Sequence, residues 1–176
     1  MGGPSWLNFS LTVDTMYIND NIINQLKQLI IKRREKVTPA VVFPDELYDY
    51  NFGRKIGKAP RLFWEQYKNF VERLDGINID GCIIYGIKNH FDYKNDLFTF
   101  NEFLTKIASD FPGLMIEENF YCIEIGSSSL DTYTYDTRTN KWESRDKQQY
   151  QNLFISCDTL AEFLQAVLDD IRQAEI

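Results

Sequence analysis

Several groups of residues in this sequence could carry chemistry. The single histidine, His90, is followed by Asp92 and Asp96, a set that could be written as metal ligands or as the base and acid of a hydrolytic site. A Ser-His-Asp triad would also need a serine on a strand-to-helix elbow. Gly126-Ser127-Ser128-Ser129 lacks the second glycine of such an elbow and leads into a strand pattern. With no second histidine to complete a metal site, the 90–96 stretch reads as solvated polar loop. Gly53-Arg54-Lys55-Ile56-Gly57-Lys58-Ala59 resembles a phosphate-binding loop, but its glycines are one residue too close. The Ser or Thr that would hold magnesium after the lysine is also missing. The three cysteines, Cys82, Cys122 and Cys157, are far apart in sequence, which argues against a zinc site or a disulfide framework. No cofactor or metal is expected.

Carboxylates are more plentiful: Glu117, Glu118, Glu124, Asp131, Asp136 and Asp146 crowd into the last third of the chain. Paired acid–base catalysis would require one of them in an apolar pocket with a raised pKa. If Tyr121, Ile123 and Ile125 point inward along their strand, Glu124 points to solvent, while Asp131 and Asp136 flank the next strand. The group then reads either as a solvated sheet face or as an acidic patch for a basic protein. Tyr133, Tyr135 and Trp142 fall on the same hairpin. They are either the inner face of the sheet or, if exposed, interface anchors.

The elements that would hold these residues follow from hydrophobic spacing. A helix is predicted over residues 20–36, with Ile22, Ile23, Leu26, Leu29 and Ile30 on one face and Asp20 or Asn21 as cap. Its basic end, residues 32–36, suits the helix dipole. Residues 37–59 form a long, aromatic-rich irregular connection. A second helix opens at Pro60 with Phe63, Tyr67, Phe70 and Leu74 as its buried stripe and stops at Asp75-Gly76. Residues 80–86 read as one buried strand. Thr99 and Glu102 form a capping box for a helix with Phe100, Phe103, Leu104 and Ile107 on one face. From residue 120 the period changes to two, giving strands over 120–125, 130–135, 141–145 and 151–155. A last helix follows Thr159, with Leu160, Phe163, Leu164, Val167, Leu168 and Ile171 on its inner face. Trp6, Phe9, Leu11, Val13 and Tyr17 allow a short N-terminal strand.

Helices at both ends of a run of consecutive strands predict an α+β fold: a central, mainly antiparallel sheet in a single domain spanning residues 1–176. The net charge of −7 argues against nucleic acid and against an anionic membrane surface, and permits a basic protein partner. With neither a signal-like start nor an apolar membrane span, the expected location is the cytoplasm.

The order of these pieces resembles the SUKH superfamily, which unites a yeast cell-wall-synthesis regulator with bacterial immunity proteins of toxin systems. The residues carrying the resemblance are the aromatic helix ending in Asp75-Gly76, then Gly81 and Ile84-Tyr85-Gly86, then residues 120–126. Tyr133 to Asp136, the Trp142 strand, and Ser156 leading into Leu160 to Leu164 complete it. The likeness covers residues 60–171 well, the first helix loosely and the rest of the N-terminal region hardly at all; the 37–58 connection departs from it. It implies a non-catalytic protein-binding module, in bacterial members one that binds and neutralises a cognate toxin or effector domain. It supplies no catalytic motif. The alternatives are a regulatory scaffold related to cell-wall synthesis control and, third, a carboxylate-based enzyme around His90. The residues expected on a partner-binding face are Glu124, Asp131, Tyr133, Tyr135, Asp136 and Trp142.

Overall fold

A computed structural model of the chain describes residues 17–91 and 96–174. The expected N-terminal strand lies almost wholly outside these residues. In chain order the elements are α1 (Asp20–Lys32), α2 (Arg61–Val71), the hairpin β1 (Ile77–Ile79) and β2 (Cys82–Ile84), α3 (Leu97–Asp110) and the short α4 (Glu117–Tyr121). Then come β3 (Cys122–Ser127), β4 (Asp131–Asp136), β5 (Lys141–Asp146), β6 (Leu153–Cys157) and α5 (Leu160–Gln173). The six strands form one sheet in the order β1-β2-β3-β4-β5-β6, every neighbouring pair antiparallel. The fold is α+β with helices at both ends, as the sequence pattern predicts.

Local chemistry sets the boundaries. The cap of α1 is Asn19, whose side chain accepts the Ile22 N–H at 2.9 Å. Helix α3 starts two residues earlier than Thr99, because Asp96 Oδ1 accepts from the N–H groups of both Phe98 and Thr99. Thr159 caps α5 through the Glu162 N–H, as the capping box predicts. The expected single strand over 80–86 is instead a hairpin. Asp80 and Gly81 both have positive φ, the geometry of a two-residue turn that joins two short strands. Residues 117–121, partly expected in a strand, form the single turn α4 before β3 begins.

One face of the sheet carries Ile123, Ile125, Tyr133, Tyr135 and Trp142 against α1, α2 and α5. Its centre is aromatic: Phe63 stacks on Trp142 at 5.4 Å and on Tyr67 at 5.2 Å, and Tyr135 meets Trp142 edge-on at 4.7 Å. Truncating one fully buried ring of this group would cost about 3–5 kcal/mol. Residues 37–59 pack onto the same core through Phe43, Phe52 and Ala59, with Phe52 stacked on Trp64 at 5.8 Å. This connection is pinned by the pairing of Asn51 with Lys58, by the Val41 N–H to Val71 C=O bond, and by Thr38 Oγ1 donating to the Gly76 carbonyl at 2.6 Å.

The strands β2 and β3 approach so closely that a Cβ on Gly126 would lie 2.0 Å from the Ile83 carbonyl oxygen. Beyond the Tyr85 N–H to Ile125 C=O bond, β2 turns away and leaves the main chain of Glu124 without a strand partner on the side away from β4. The side chain of Asn101, fully buried on α3, takes that place. Its Nδ2 donates to the Glu124 carbonyl at 2.8 Å and its Oδ1 accepts the Glu124 N–H at 3.1 Å. One amide thus docks α3 on the sheet in the manner of a strand partner. Replacement Asn101→Ala leaves two buried main-chain groups unpaired and is expected to cost about 3 kcal/mol in urea unfolding. A loss below about 1 kcal/mol would show that water replaces the amide.

Candidate functional site

The residues expected on a binding face do not lie on one open surface. Strand alternation sends Tyr133, Tyr135 and Trp142 into the helix-packed core, and Glu124 and Asp136 to the opposite face of the sheet. That opposite face is covered too, by the Arg54 loop, α3, α4 and the segment around Tyr150. Glu124 therefore does not point to solvent: it is 7% exposed, and Asp136 is 2% exposed. Only Asp131 is half-exposed, at the start of β4.

The covered face is a buried polar layer. Across β3, β4 and β5, Glu124 stands opposite Thr134 and Thr134 opposite Glu143; one row along, Cys122 stands opposite Asp136. Two guanidinium groups neutralise the acids. Arg138 grips both oxygens of Asp136, Nε to Oδ1 at 3.1 Å and Nη2 to Oδ2 at 2.9 Å. Arg145 Nη2 lies 2.9 Å from Glu143 Oε1 and 3.4 Å from Asp136 Oδ2, while its Nη1 donates to the Tyr150 carbonyl at 3.1 Å. Burial works to raise the Asp136 pKa, but the hydrogen bonds and charge of Arg138, with the charge of Arg145, hold it below the usual carboxylate range. Burial dominates at Glu143 and raises it, against the opposing Arg145 contact.

The thiol of Cys122 and the carboxylates of Asp136 and Glu143 offer atoms within 4.8 Å of one another, the spacing of a metal site. The donor set does not fit one. Asp136 and Glu143 already bind guanidinium groups, and burial followed by the charge of Asp136 pushes the Cys122 thiol up to about 12. A metal there would need the thiolate and would meet two arginines.

Glu124 is held differently. Among the described residues its carboxylate has no ion-pair contact, and burial pushes its pKa up to about 8 despite the charges of Arg54 and Lys147. Arg54 reaches this layer from a left-handed backbone position. Its Nη1 donates to the carbonyls of Asn119 and Cys122 at 3.0 and 2.9 Å, its Nη2 to Asn101 Oδ1 at 2.8 Å, and its Nε to Thr105 Oγ1 at 3.2 Å. The loop that resembles a phosphate cradle is thus a staple whose arginine is spent on the protein's own carbonyls.

His90 has a structural partner. Its Nε2 lies 2.6 Å from Oδ2 of the buried Asp75, which also accepts the N–H groups of Ile87 and Lys88 at 2.8 and 3.1 Å. Asp92 lies outside the described residues, and Asp96 is occupied in capping α3. The set His90, Asp92 and Asp96 is not assembled into a site by the residues described.

What spacing alone did not reveal is a surface on the 97–121 segment. Of α3 only Leu97 and Asn101 are buried. The apolar spacing of Phe100, Phe103, Leu104 and Ile107, expected on one helix face, continues to Phe111 and then to Leu114 and Ile116. Phe103 is 56% exposed, Phe111 61% and Leu114 78%, with Ile116 also open to solvent. The same segment carries Glu102, Asp110 and Glu117, all exposed, and the half-buried Glu118, with Lys106 as its single basic residue. The signal was present as an apolar run longer than one docked helix face needs. Among the described residues no helix is long and apolar enough to cross a membrane.

The position of Glu124 has a measurable consequence. Its folded pKa of about 8 lies above its ordinary value of 4.5, so the unfolded chain ionises first. Stability from this group is complete below about pH 4.5, declines as pH rises, and is gone above about pH 8. Glu143 is raised and acts in the same direction. Urea unfolding of the wild type is expected to lose about 3 kcal/mol more than Glu124→Gln between about pH 5 and pH 9. Parallel pH profiles would show that Glu124 is solvated. Comparison with family models, curated proteins and solved structures finds no match to this chain.

Proposed function

We propose that this protein is a non-catalytic binding module of the SUKH kind that binds and neutralises a basic toxin or effector domain. The observation that carries this reading is the exposure of Phe103, Phe111, Leu114 and Ile116 on one short segment that also carries Glu102, Asp110, Glu117 and Glu118. An apolar, aromatic centre inside a charged rim is the anatomy of a protein interface. Carboxylates on the rim speed the approach of a basic partner and weaken with salt, in keeping with the chain's net charge of −7. The buried ionisable groups also favour binding over catalysis, since Asp136, Glu143, Arg138, Arg145 and Arg54 are engaged with one another or with main-chain carbonyls. The partner-binding residues in this reading are these apolar residues and acids, which replace Glu124, Tyr133, Tyr135, Asp136 and Trp142. The setting expected for such a module is the cytoplasm.

The test is paired capture from the source cells with wild-type bait and with the double variant Phe111→Asp, Leu114→Asp, at about 50 and 500 mM salt. Both replaced residues are exposed, so the variant is expected to melt within about 2 °C of wild type. The expected result is a basic protein retained by wild type at low salt, weakened at high salt and lost from the variant. Its expression should arrest growth unless this chain is co-expressed. Identical capture by both baits overturns the 97–121 segment as the binding surface. A captured partner that is harmless to cells replaces neutralisation with the regulatory-scaffold reading.

A further inference from the structure

A cavity of about 370 Å³ opens between the β1–β2 turn, the loop joining β3 to β4, and the last turn of α5. It shares no residue with the 97–121 segment. Its walls are apolar where Ile79, Leu130 and Ile171 contribute, and Tyr133 and Cys82 line it with their hydroxyl and thiol 3.7 Å apart. Three carboxylates also line it, Asp80, Asp131 and Asp170, against one guanidinium, Arg33. Arg33 is ion-paired to Asp80. Among the described residues, neither Asp131 nor Asp170 has an ion-pair partner. The register adds a further negative charge behind Asp131, since Asp146 stands opposite it on β5. Asp170 is neighboured by Asp169, and burial, then the charge of Asp131, then that of Asp169 raise its pKa. The cavity thus combines an apolar wall of the size that holds a small ligand with two acids that, among the described residues, form no ion pair, the lining Arg33 being paired to Asp80.

We propose that this cavity binds the ammonium or guanidinium end of an aliphatic cation, with Asp131 and Asp170 as counter-charges and Ile79, Leu130 and Ile171 enclosing the stem. A cation placed between the two acids relieves their mutual repulsion and forms charge-assisted hydrogen bonds with both. A stem of about four carbons suits a pocket at the small end of the ligand-site range. An anion would meet the net negative lining, and a neutral alcohol would leave both acids uncompensated.

The experiment is calorimetric titration of the full chain with n-butylguanidinium and n-butylammonium at low salt, with n-butanol and butyrate as controls. Both cations are expected to bind one-to-one with Kd of about 0.1–1 mM, a strength ordinary for so few atoms. Asp131→Asn and Asp170→Asn are each expected to weaken binding about tenfold, the loss of one charge-assisted contact. Amide NMR shifts should centre on residues 79–82, 128–133 and 170–174. A blocked tripeptide with a central arginine separates the two sources of such a group. Binding of the peptide places the cation on a protein side chain; its exclusion, with n-butylguanidinium still bound, makes the ligand a free small molecule. No saturation of either cation by about 10 mM, equal binding of n-butanol, or undiminished binding by the doubly substituted chain would overturn the proposal. The comparison of charged and neutral probes on the wild type decides the matter even if a variant misfolds. The Phe111→Asp, Leu114→Asp variant should bind the cations as wild type does, so the two readings fail separately.

Discussion

Arg54 is the group on which the second half of this structure depends. The middle strands β3, β4 and β5 are buried on both faces, yet only one face has an apolar sequence. The other presents Glu124, Thr134, Asp136, Glu143 and Arg145 to a covering layer, which must compensate them. Arg54 ties that layer together by bonding at once to α3, to α4 and to the start of β3. Removing it would leave carbonyls and the Asn101 amide oxygen short of donors within a closed interior, the costly half of hydrogen-bond energetics. Arg145 does the same for the acids of β4 and β5. Such pairs add little net stability compared with an apolar layer of the same volume, but breaking one partner is severe.

The arrangement also explains which parts of the sequence were legible. Helices α1, α2 and α5 have one apolar stripe against one apolar sheet face, so spacing and burial coincide at Ile22 to Ile30, Phe63 to Phe70 and Leu160 to Ile171. The strands β3, β4 and β5 were readable from period two for the same reason. Period two also suggested a wet outer face, and there it misled. Alternation reports which residues share a face, whereas whether that face is covered depends on long-range packing of Arg54 and Asn101, about 70 and 23 residues from Glu124. The hairpin at Asp80-Gly81 was missed although its dipeptide is a strong turn signal, because β1 and β2 are only three residues each. The exposure of α3 was not legible, because an amphipathic pattern identifies the apolar face of a helix and says nothing of what covers it.

In the proposed readings, recognition and stability fall to different residues. The tyrosines and tryptophan of the β4–β5 hairpin, chemically suited to an interface, form the core. Asp136, which the sequence offered as an accessible acid, and Glu143 are fastened to arginines. The proposals place recognition instead on the exposed apolar residues of the 97–121 segment and on Asp131 and Asp170 around the cavity beside α5. Both lie at the periphery of the sheet, whereas Glu124 inside it is 7% exposed.

The path of the chain around the sheet adds a last point. Strands adjacent in space are adjacent in order, and the 97–121 segment is a detour taken between two neighbours, β2 and β3. It leaves beside Gly86 and rejoins the sheet at Cys122, fastened along the way by Leu97 and Asn101. A detour of this kind is modular: its outer surface can be rewritten, lengthened or reshaped while strand order and the aromatic core remain as they are. Mutation at a few outward positions of α3 and α4 should therefore carry little risk to folding, whatever those positions touch.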